Sequence, residues 1–152
     1  MNTEKATTVA VNEKEFRNGV MPSAQLSKAA CEIAIKKTSQ KNVKQFAEWE
    51  LMEATTVIDV LKDLGTDAPP ISKDTQDFLS KLNGLDEKEF NKQYMAAELS
   101  NHEFLRDFAQ NYIDGVDKKL SANEGEIFHV ANLALFAFTE HVGLCKEIIS
   151  EI

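Results

Sequence analysis

The sequence is poor in the residues that interrupt helices, since its 152 residues include only six glycines and three prolines. A chain of many short strands needs frequent turns, and glycine and proline supply most of them. An all-β fold is therefore disfavoured. The length, with an apolar fraction of 43%, fits a single domain with a core of ordinary size.

Positive charge is also scarce. Seventeen lysines and arginines stand against 25 acidic residues, so the formal net charge is −8. Nucleic-acid binding requires a basic patch that neutralises phosphates, and binding to an anionic membrane surface requires one too. We therefore expect no nucleic-acid partner.

Long apolar runs are absent, which predicts no transmembrane segment. The start, "MNTEKATTVAVNEKEF", lacks the basic and then apolar regions of a signal peptide. The protein is thus either cytoplasmic or a mature form from which an export signal was removed. Two cysteines, Cys31 and Cys145, do not make a disulfide framework. They are interpreted as small apolar fillers, although a single bridge between them stays open.

Helical periodicity is what the sequence has instead, and no strand pattern competes with it. Residues 1–12 are predicted to be a flexible N-terminal segment, and residues 13–152 a single all-α domain. The predicted architecture is an up-down-up-down four-helix bundle, with one short extra helix between the second and third long helices. The predicted long helices run from Pro22 to Ser39, Lys41 to Leu64, Asp86 to Val116 and Ser121 or Asn123 to the C-terminus, with the short helix from Lys73 to Leu82.

The fourth long helix is apolar on two sides. Leu133 and Phe136 lie opposite its main apolar stripe, and a helix of this kind is covered twice. Cover by the N-terminal segment around residues 9–16 is the favoured interpretation. A homodimer contact through Leu133 and Phe136 is the alternative.

Four polar residues fall on the inner faces of the second, third and fourth long helices. Two imidazoles and two carboxylates are the ligand types that zinc, iron or manganese prefer. A metal site is one interpretation, and a buried Glu–His pair that satisfies itself by hydrogen bonding is the other. Glu53 lies at the margin of the second helix's stripe and is left outside the set. The candidate metal ligands are Glu50, Glu98, His102 and His141.

Other chemistry has little support. The chain has no glycine-rich phosphate loop, nucleophile elbow or Cys-x-x-Cys motif, so no enzyme class is predicted. A carboxylate-bridged di-metal centre draws acids from all four helices, and here the first helix has none facing inward. Trp49 either floors a pocket or covers an edge of the bundle.

Three segments carry a family resemblance: "KNVKQFAEWELMEATTVIDVLKDLG", "YMAAELSNHEFLRDFAQ" and "FTEHVGLCKEI". From about Phe16 to the end, the chain resembles a bacterial family of unknown function with a ferritin-like four-helix fold. Its members are usually exported and described as predicted periplasmic or outer-membrane proteins. The resemblance implies a non-enzymatic envelope protein with a role in interaction or stress response. A metal-binding or metal-dependent redox protein is the alternative.

The chain departs from the family pattern at several positions. Members commonly carry a histidine on the second, third and fourth helices, which here correspond to Ala54, His102 and His141. Members also often have acids on the first helix, about where Ser27 and Ala29 stand. Glu50, one turn before Ala54 on the same face, is the candidate substitute for the missing histidine.

Overall fold

The computed structural model describes residues 11–116 and 122–152. Within these ranges every regular element is an α-helix, which confirms the predicted all-α class. Residues 1–10 lie outside the described residues. They make up most of the predicted flexible segment and include the first residues of the segment expected to cover α5. The helices are α1 (Glu13–Lys37), α2 (Lys41–Asp63), α3 (Lys73–Gly84), α4 (Glu87–Gly115) and α5 (Ala122–Glu151).

The predicted start of the first helix at Pro22 is wrong. Helix α1 begins nine residues earlier, at a capping box in which Asn12 and Glu15 bond each other's backbone N–H groups. Pro22 lies inside the helix, where its missing N–H removes one helical hydrogen bond. Its exposed position leaves the buried face of the helix uninterrupted.

The ends of the next helices follow their sequence signals. Helix α2 stops before Gly65, which has a φ of 85°, the left-handed conformation that glycine adopts at helix ends. The side chain of Asp86 accepts a hydrogen bond from Glu89 N and caps α4. These boundaries agree with the predicted ones to within a residue or two.

The predicted up-down-up-down order is also wrong. Helix α1 packs against both α2 and α4, and the short turn 38–40 makes α2 antiparallel to it. Phe16 stacks on Tyr112 at one end of α1, and Ser27 bonds Glu98 near its middle, so α4 is antiparallel to α1 as well. Helices α2 and α4 therefore run in the same direction. Helix α5 packs antiparallel on α4, since Ile127 near its start shares a cluster with Tyr112 and its His141 contacts His102, so the order is up-down-down-up.

The connection between α2 and α4 explains this order. Instead of turning tightly, the chain crosses back along α1: Gln25 Nε2 bonds the Pro69 carbonyl, and Lys37 Nζ bonds the Asn83 carbonyl. Helix α3 is part of this return and packs against α1 and α4. The return brings the start of α4 beside the start of α2.

The core consists of two apolar clusters. One contains Phe16, Ile58, Leu105 and their neighbours, and the other contains residues nearer the opposite end of the helices, such as Phe46. Eight described polar side chains are buried and belong to neither cluster, and five of them form one connected group. The five are Ser27, Glu50, Glu98, His102 and His141.

The outer face of α5 is uncovered in the described part of the chain. Leu133 and Phe136 are 72% and 67% exposed, whereas Phe16, at the end of the segment expected to cover them, is buried against α4. The homodimer contact therefore stays a prediction. By length and composition alone, Gly125–Glu151 is apolar enough to cross a membrane, and 28% of its most apolar window is buried. Core helices share this composition, so the predicted absence of a membrane span stays a prediction.

Candidate metal centre

His102 has one ring nitrogen engaged by its own helix. The ring is fully buried, and its Nδ1 lies 2.8 Å from the backbone carbonyl oxygen of Glu98, one turn earlier on α4. A carbonyl oxygen only accepts, so Nδ1 carries the proton and donates it. In the neutral ring, Nε2 then keeps a lone pair. Helix α4 thus presents Nε2 as a ligand atom in the interior.

Two further atoms meet His102 Nε2, one from α2 and one from α5. Glu50 Oε2 lies 3.1 Å from His102 Nε2 and 3.0 Å from His141 Nδ1. The two ring nitrogens are 3.2 Å apart. These three contacts close a triangle of two nitrogens and one oxygen. All three residues are buried.

Glu53 occupies the outer side of His141. Its Oε2 lies 3.4 Å from His141 Nε2, and its side chain is 24% exposed, the most exposed of the group. Glu50 and Glu53 thus face the two nitrogens of the His141 ring, and either carboxylate can accept its proton. With the proton on Nε2 and bonded to Glu53, the lone pair is on Nδ1 and faces Glu50. In that tautomer both imidazoles have an acceptor outside the triangle and a lone pair inside it.

Lone pairs on three atoms separated by about 3 Å repel one another unless a cation lies among them. The cation is either a shared proton or a metal ion. Transition metals lie about 2.0–2.2 Å from imidazole and carboxylate ligands, so tetrahedral or octahedral angles separate adjacent ligand atoms by about 2.8–3.6 Å. The sides of the triangle, 3.0–3.2 Å, fall within this range.

Among the described residues, one group has the composition and spacing to hold a metal. Glu50, Glu53, His102 and His141 each offer one ligand atom, and these atoms lie within 4.8 Å of one another. Sequence reasoning missed Glu53 because its helical position is marginal. The sequence feature that could have identified Glu53 is its i, i+3 spacing from Glu50, which puts both acids on nearly the same side of α2.

Glu98, the fourth predicted ligand, lies next to the triangle but engages α1. Its Oε2 accepts a hydrogen bond from Ser27 Oγ at 2.8 Å and lies 3.6 Å from His102 Nδ1. Asn101 Nδ2 donates to the same serine oxygen at 3.0 Å. The structure thus brings three of the four predicted residues together. In the expected Glu98–His102 pair, His102 Nδ1 bonds the backbone carbonyl oxygen of Glu98 at 2.8 Å, which is closer than the carboxylate at 3.6 Å.

The buried charges favour a proton in the triangle when no metal is bound. Burial opposes ionisation of Glu50, but the hydrogen bonds from His102 and His141 outweigh it and lower its pKa to about 2. Burial also opposes a charge on His102, yet the bond to Glu50 raises its pKa to about 9. Burial, followed by the charge of Glu50, raises the pKa of Glu98 to about 7. The metal-free centre therefore contains an imidazolium–carboxylate pair at neutral pH.

The cysteines and the third histidine lie outside the group. Cys31 and Cys145 are free and buried. Burial, the main cause, raises the pKa of both thiols, so they stay protonated. Cys31 Sγ is 3.2 Å from Tyr94 Oη. His129 is exposed, as is Glu126 three residues before it.

Sequence comparison places these residues in a known family. The family described as "Domain of unknown function (DUF4142)" matches residues 1–142. The chain belongs to the DUF4142 family. This confirms the resemblance to a bacterial family of unknown function. No curated protein matches the chain.

The fold of this DUF4142 protein is similar to the crystal structure of a DUF305 fragment from Deinococcus radiodurans. The TM-score is 0.77 at 10% identity, over 92% of this chain and 96% of the other. At this identity the likeness concerns the fold alone. It supports the arrangement of the helices and gives no information about the residues of the candidate metal centre.

The DUF4142 match includes the whole Glu/His group. Ala54, which stands where relatives are expected to have a histidine, is buried one turn after Glu50. Glu50 Oε2 contacts both imidazoles from that helix. The role of Glu50 as a substitute for the missing histidine stays a prediction.

Proposed function

We propose that this DUF4142 protein binds one divalent transition-metal ion through His102 Nε2, His141 Nδ1 and Glu50 Oε2. Glu53 holds the ring of His141 in the tautomer that keeps Nδ1 free. The observation that carries the proposal is the triangle of three buried ligand atoms with sides of 3.0–3.2 Å. Each imidazole also has an acceptor on its outer nitrogen, as metal-bound histidines usually have.

The ligand types narrow the metal. Two imidazoles and one carboxylate occur at zinc sites and at non-haem iron sites. Zinc, iron and manganese are therefore the candidates, and manganese is expected to bind most weakly of the three. Binding must displace the proton of the His102–Glu50 pair, so the metal releases a proton and binds more tightly as the pH rises.

The wider setting is also a proposal. We infer a ferritin-like four-helix bundle in the periplasm or cell envelope, with a non-enzymatic role in interaction or stress response. The up-down-down-up order with one long crossing connection supports the ferritin-like assignment. The family resemblance supports the envelope location. Fractionation of cells that make the native protein tests it: recovery in the periplasmic or envelope fraction is expected, and recovery only in the cytoplasm contradicts it.

Metal titration of chelator-treated protein, purified without a histidine tag, tests the binding proposal. Calorimetry with Zn²⁺ is expected to give one site per chain. His102→Asn and His141→Asn should each weaken it by about a hundredfold or more, since even residues that only orient a ligand cost about 10–100-fold. His129→Asn is the matched control, because His129 is exposed and outside the group.

Glu98→Gln separates the proposed ligand set from the set predicted by sequence. Because the Glu98 carboxylate bonds Ser27, this variant should bind Zn²⁺ within a few-fold of the original protein. Glu50→Gln should bind as weakly as the histidine variants. Zinc binding that none of these substitutions changes would refute the site and leave a shared proton as the cation of the triangle.

A further inference from the structure

A groove of about 210 Å³ opens between α2 and α5, near the start of α2 and the end of α5. These two helices pack against each other much less than α1 packs on α2 or α4 on α5. The lining residues recur at intervals of three and four on each helix, so the groove lies between one face of α2 and one face of α5. The groove is therefore a regular feature of two facing helices.

The floor of the groove is apolar. Phe46 and Ile148 line it and are 2% and 6% exposed. Trp49, on the same face of α2, also lines it and is 51% exposed. A half-exposed tryptophan leaves apolar and aromatic surface in water, and such surface is a common feature of binding sites. The groove can thus take the apolar body of a ligand.

Negative charge borders this apolar floor. Glu147 and Glu151 line the α5 side, and no lysine or arginine lines the groove in the part of the chain described. Glu151 Oε2 accepts a hydrogen bond from Asn42 Nδ2 at 2.6 Å, and this neutral donor leaves its charge in place. Neither carboxylate has an ion-pair partner among the described residues. The groove therefore has an apolar floor and uncompensated negative charge beside an aromatic ring.

We propose that this groove binds a small organic cation, an ammonium group on an apolar body. The ammonium would lie near the two carboxylates, toward the Asn42 end of the groove, and the apolar body would extend along the floor toward Trp49, two helical turns further along α2. The volume supports a small ligand, because drug-sized ligands need about 300 Å³ or more and a protein interface buries about 1,000 Å² or more.

This inference does not depend on the metal proposal. Phe46 lines the groove and also packs edge-on against His141, with ring centroids 5.5 Å apart. Its ring therefore separates the two sites. The groove residues Trp49, Glu147 and Glu151 belong to no proposed metal ligand set, so each proposal can fail without the other.

Fluorescence of Trp49 measures binding directly, because the chain has a single tryptophan. The probes are phenethylamine, phenethyl alcohol and phenylacetate, which share an aromatic ring and a two-carbon substituent and differ in the charge of the end group. We expect a saturable change with phenethylamine, a much weaker one with the alcohol and none with the acid. Because both carboxylates are exposed, higher ionic strength should weaken the binding.

Variants inside and outside the groove test whether the amine binds there. Glu147→Gln combined with Glu151→Gln should weaken phenethylamine binding about tenfold, the sum of two modest exposed charge interactions. Glu140→Gln, an exposed position on α5 outside the groove, should leave it unchanged. Equal responses to the three probes, no saturable response to the amine, or equal binding by the groove and control variants would each overturn the proposal. Circular dichroism confirms that every variant is folded.

Discussion

Raising the pH should destabilise the metal-free protein through the His102–Glu50 pair. His102 has a pKa raised from 6.5 to about 9 in the fold. Its contribution to stability is therefore fully present below about pH 6.5 and is lost as the pH rises through about 9. The difference corresponds to about 3 kcal/mol in the free energy of unfolding.

Urea denaturation of chelator-treated protein at several pH values measures this loss. Glu98 has a pKa raised to about 7, so it adds a decline of the same sign between about pH 4.5 and 7. Above about pH 8.5 the buried thiols of Cys31 and Cys145, whose pKa values burial raises, add a further decline, so the window from about pH 7 to 8.5 reports His102. Saturating Zn²⁺ should oppose the decline, because zinc binding strengthens as the proton leaves.

Glu50→Gln is the decisive comparison, since it removes the carboxylate that stabilises the imidazolium. The decline between about pH 7 and 8.5 should disappear in this variant and persist in His129→Asn, which leaves the pair intact. A flat profile in the original protein, or the same decline in Glu50→Gln, would refute the assigned pairing.

Two further predictions concern packing and association. Gly19→Ala should destabilise the fold by about 1–2 kcal/mol, because a Cβ there would meet the ring of Phe108, whereas Gly143→Ala has open space and should be neutral or slightly stabilising. Thermal denaturation compares the two, and an equal effect would refute the close approach of α1 to α4. If the outer face of α5 forms a homodimer, changing Leu133 and Phe136 together to glutamate should convert a dimer into a monomer by light scattering. The same mass for both proteins would contradict that contact.

The helix boundaries could be predicted where a local signal decided them. Gly65 and Asp86 act through their own backbone geometry and side chain, so their roles do not depend on distant residues. The predicted start of α1 at Pro22 is wrong because proline, which usually marks a first helical turn, lies inside this helix. The capping box at Asn12 and Glu15 was the stronger signal, and it lay earlier in the chain.

Helix directions were harder to predict, because they depend on how the connection between α2 and α4 runs. A short loop would have returned the chain antiparallel to α2. Bonds from Gln25 and Lys37 to the connecting segment bring it back along α1 instead. Such contacts join residues more than forty positions apart, and periodicity within one helix contains no information about them.

The site was only partly predictable, because it too depends on contacts between different helices. Helical spacing placed Glu50, His102 and His141 on inner faces, and the structure brings them together. Spacing could not tell that Glu98 would bond Ser27 on α1, nor that marginal Glu53 would reach His141. These outcomes depend on side-chain rotamers and on the neighbouring helix.

The most direct test of the account is the position of the metal itself. X-ray diffraction from crystals of the zinc-loaded protein, with data collected across the zinc absorption edge, locates the ion by its anomalous signal. The account predicts one buried ion about 2.0–2.2 Å from His102 Nε2, His141 Nδ1 and Glu50 Oε2. An ion held only by exposed carboxylates, with the His102–Glu50 hydrogen bond intact, would contradict it.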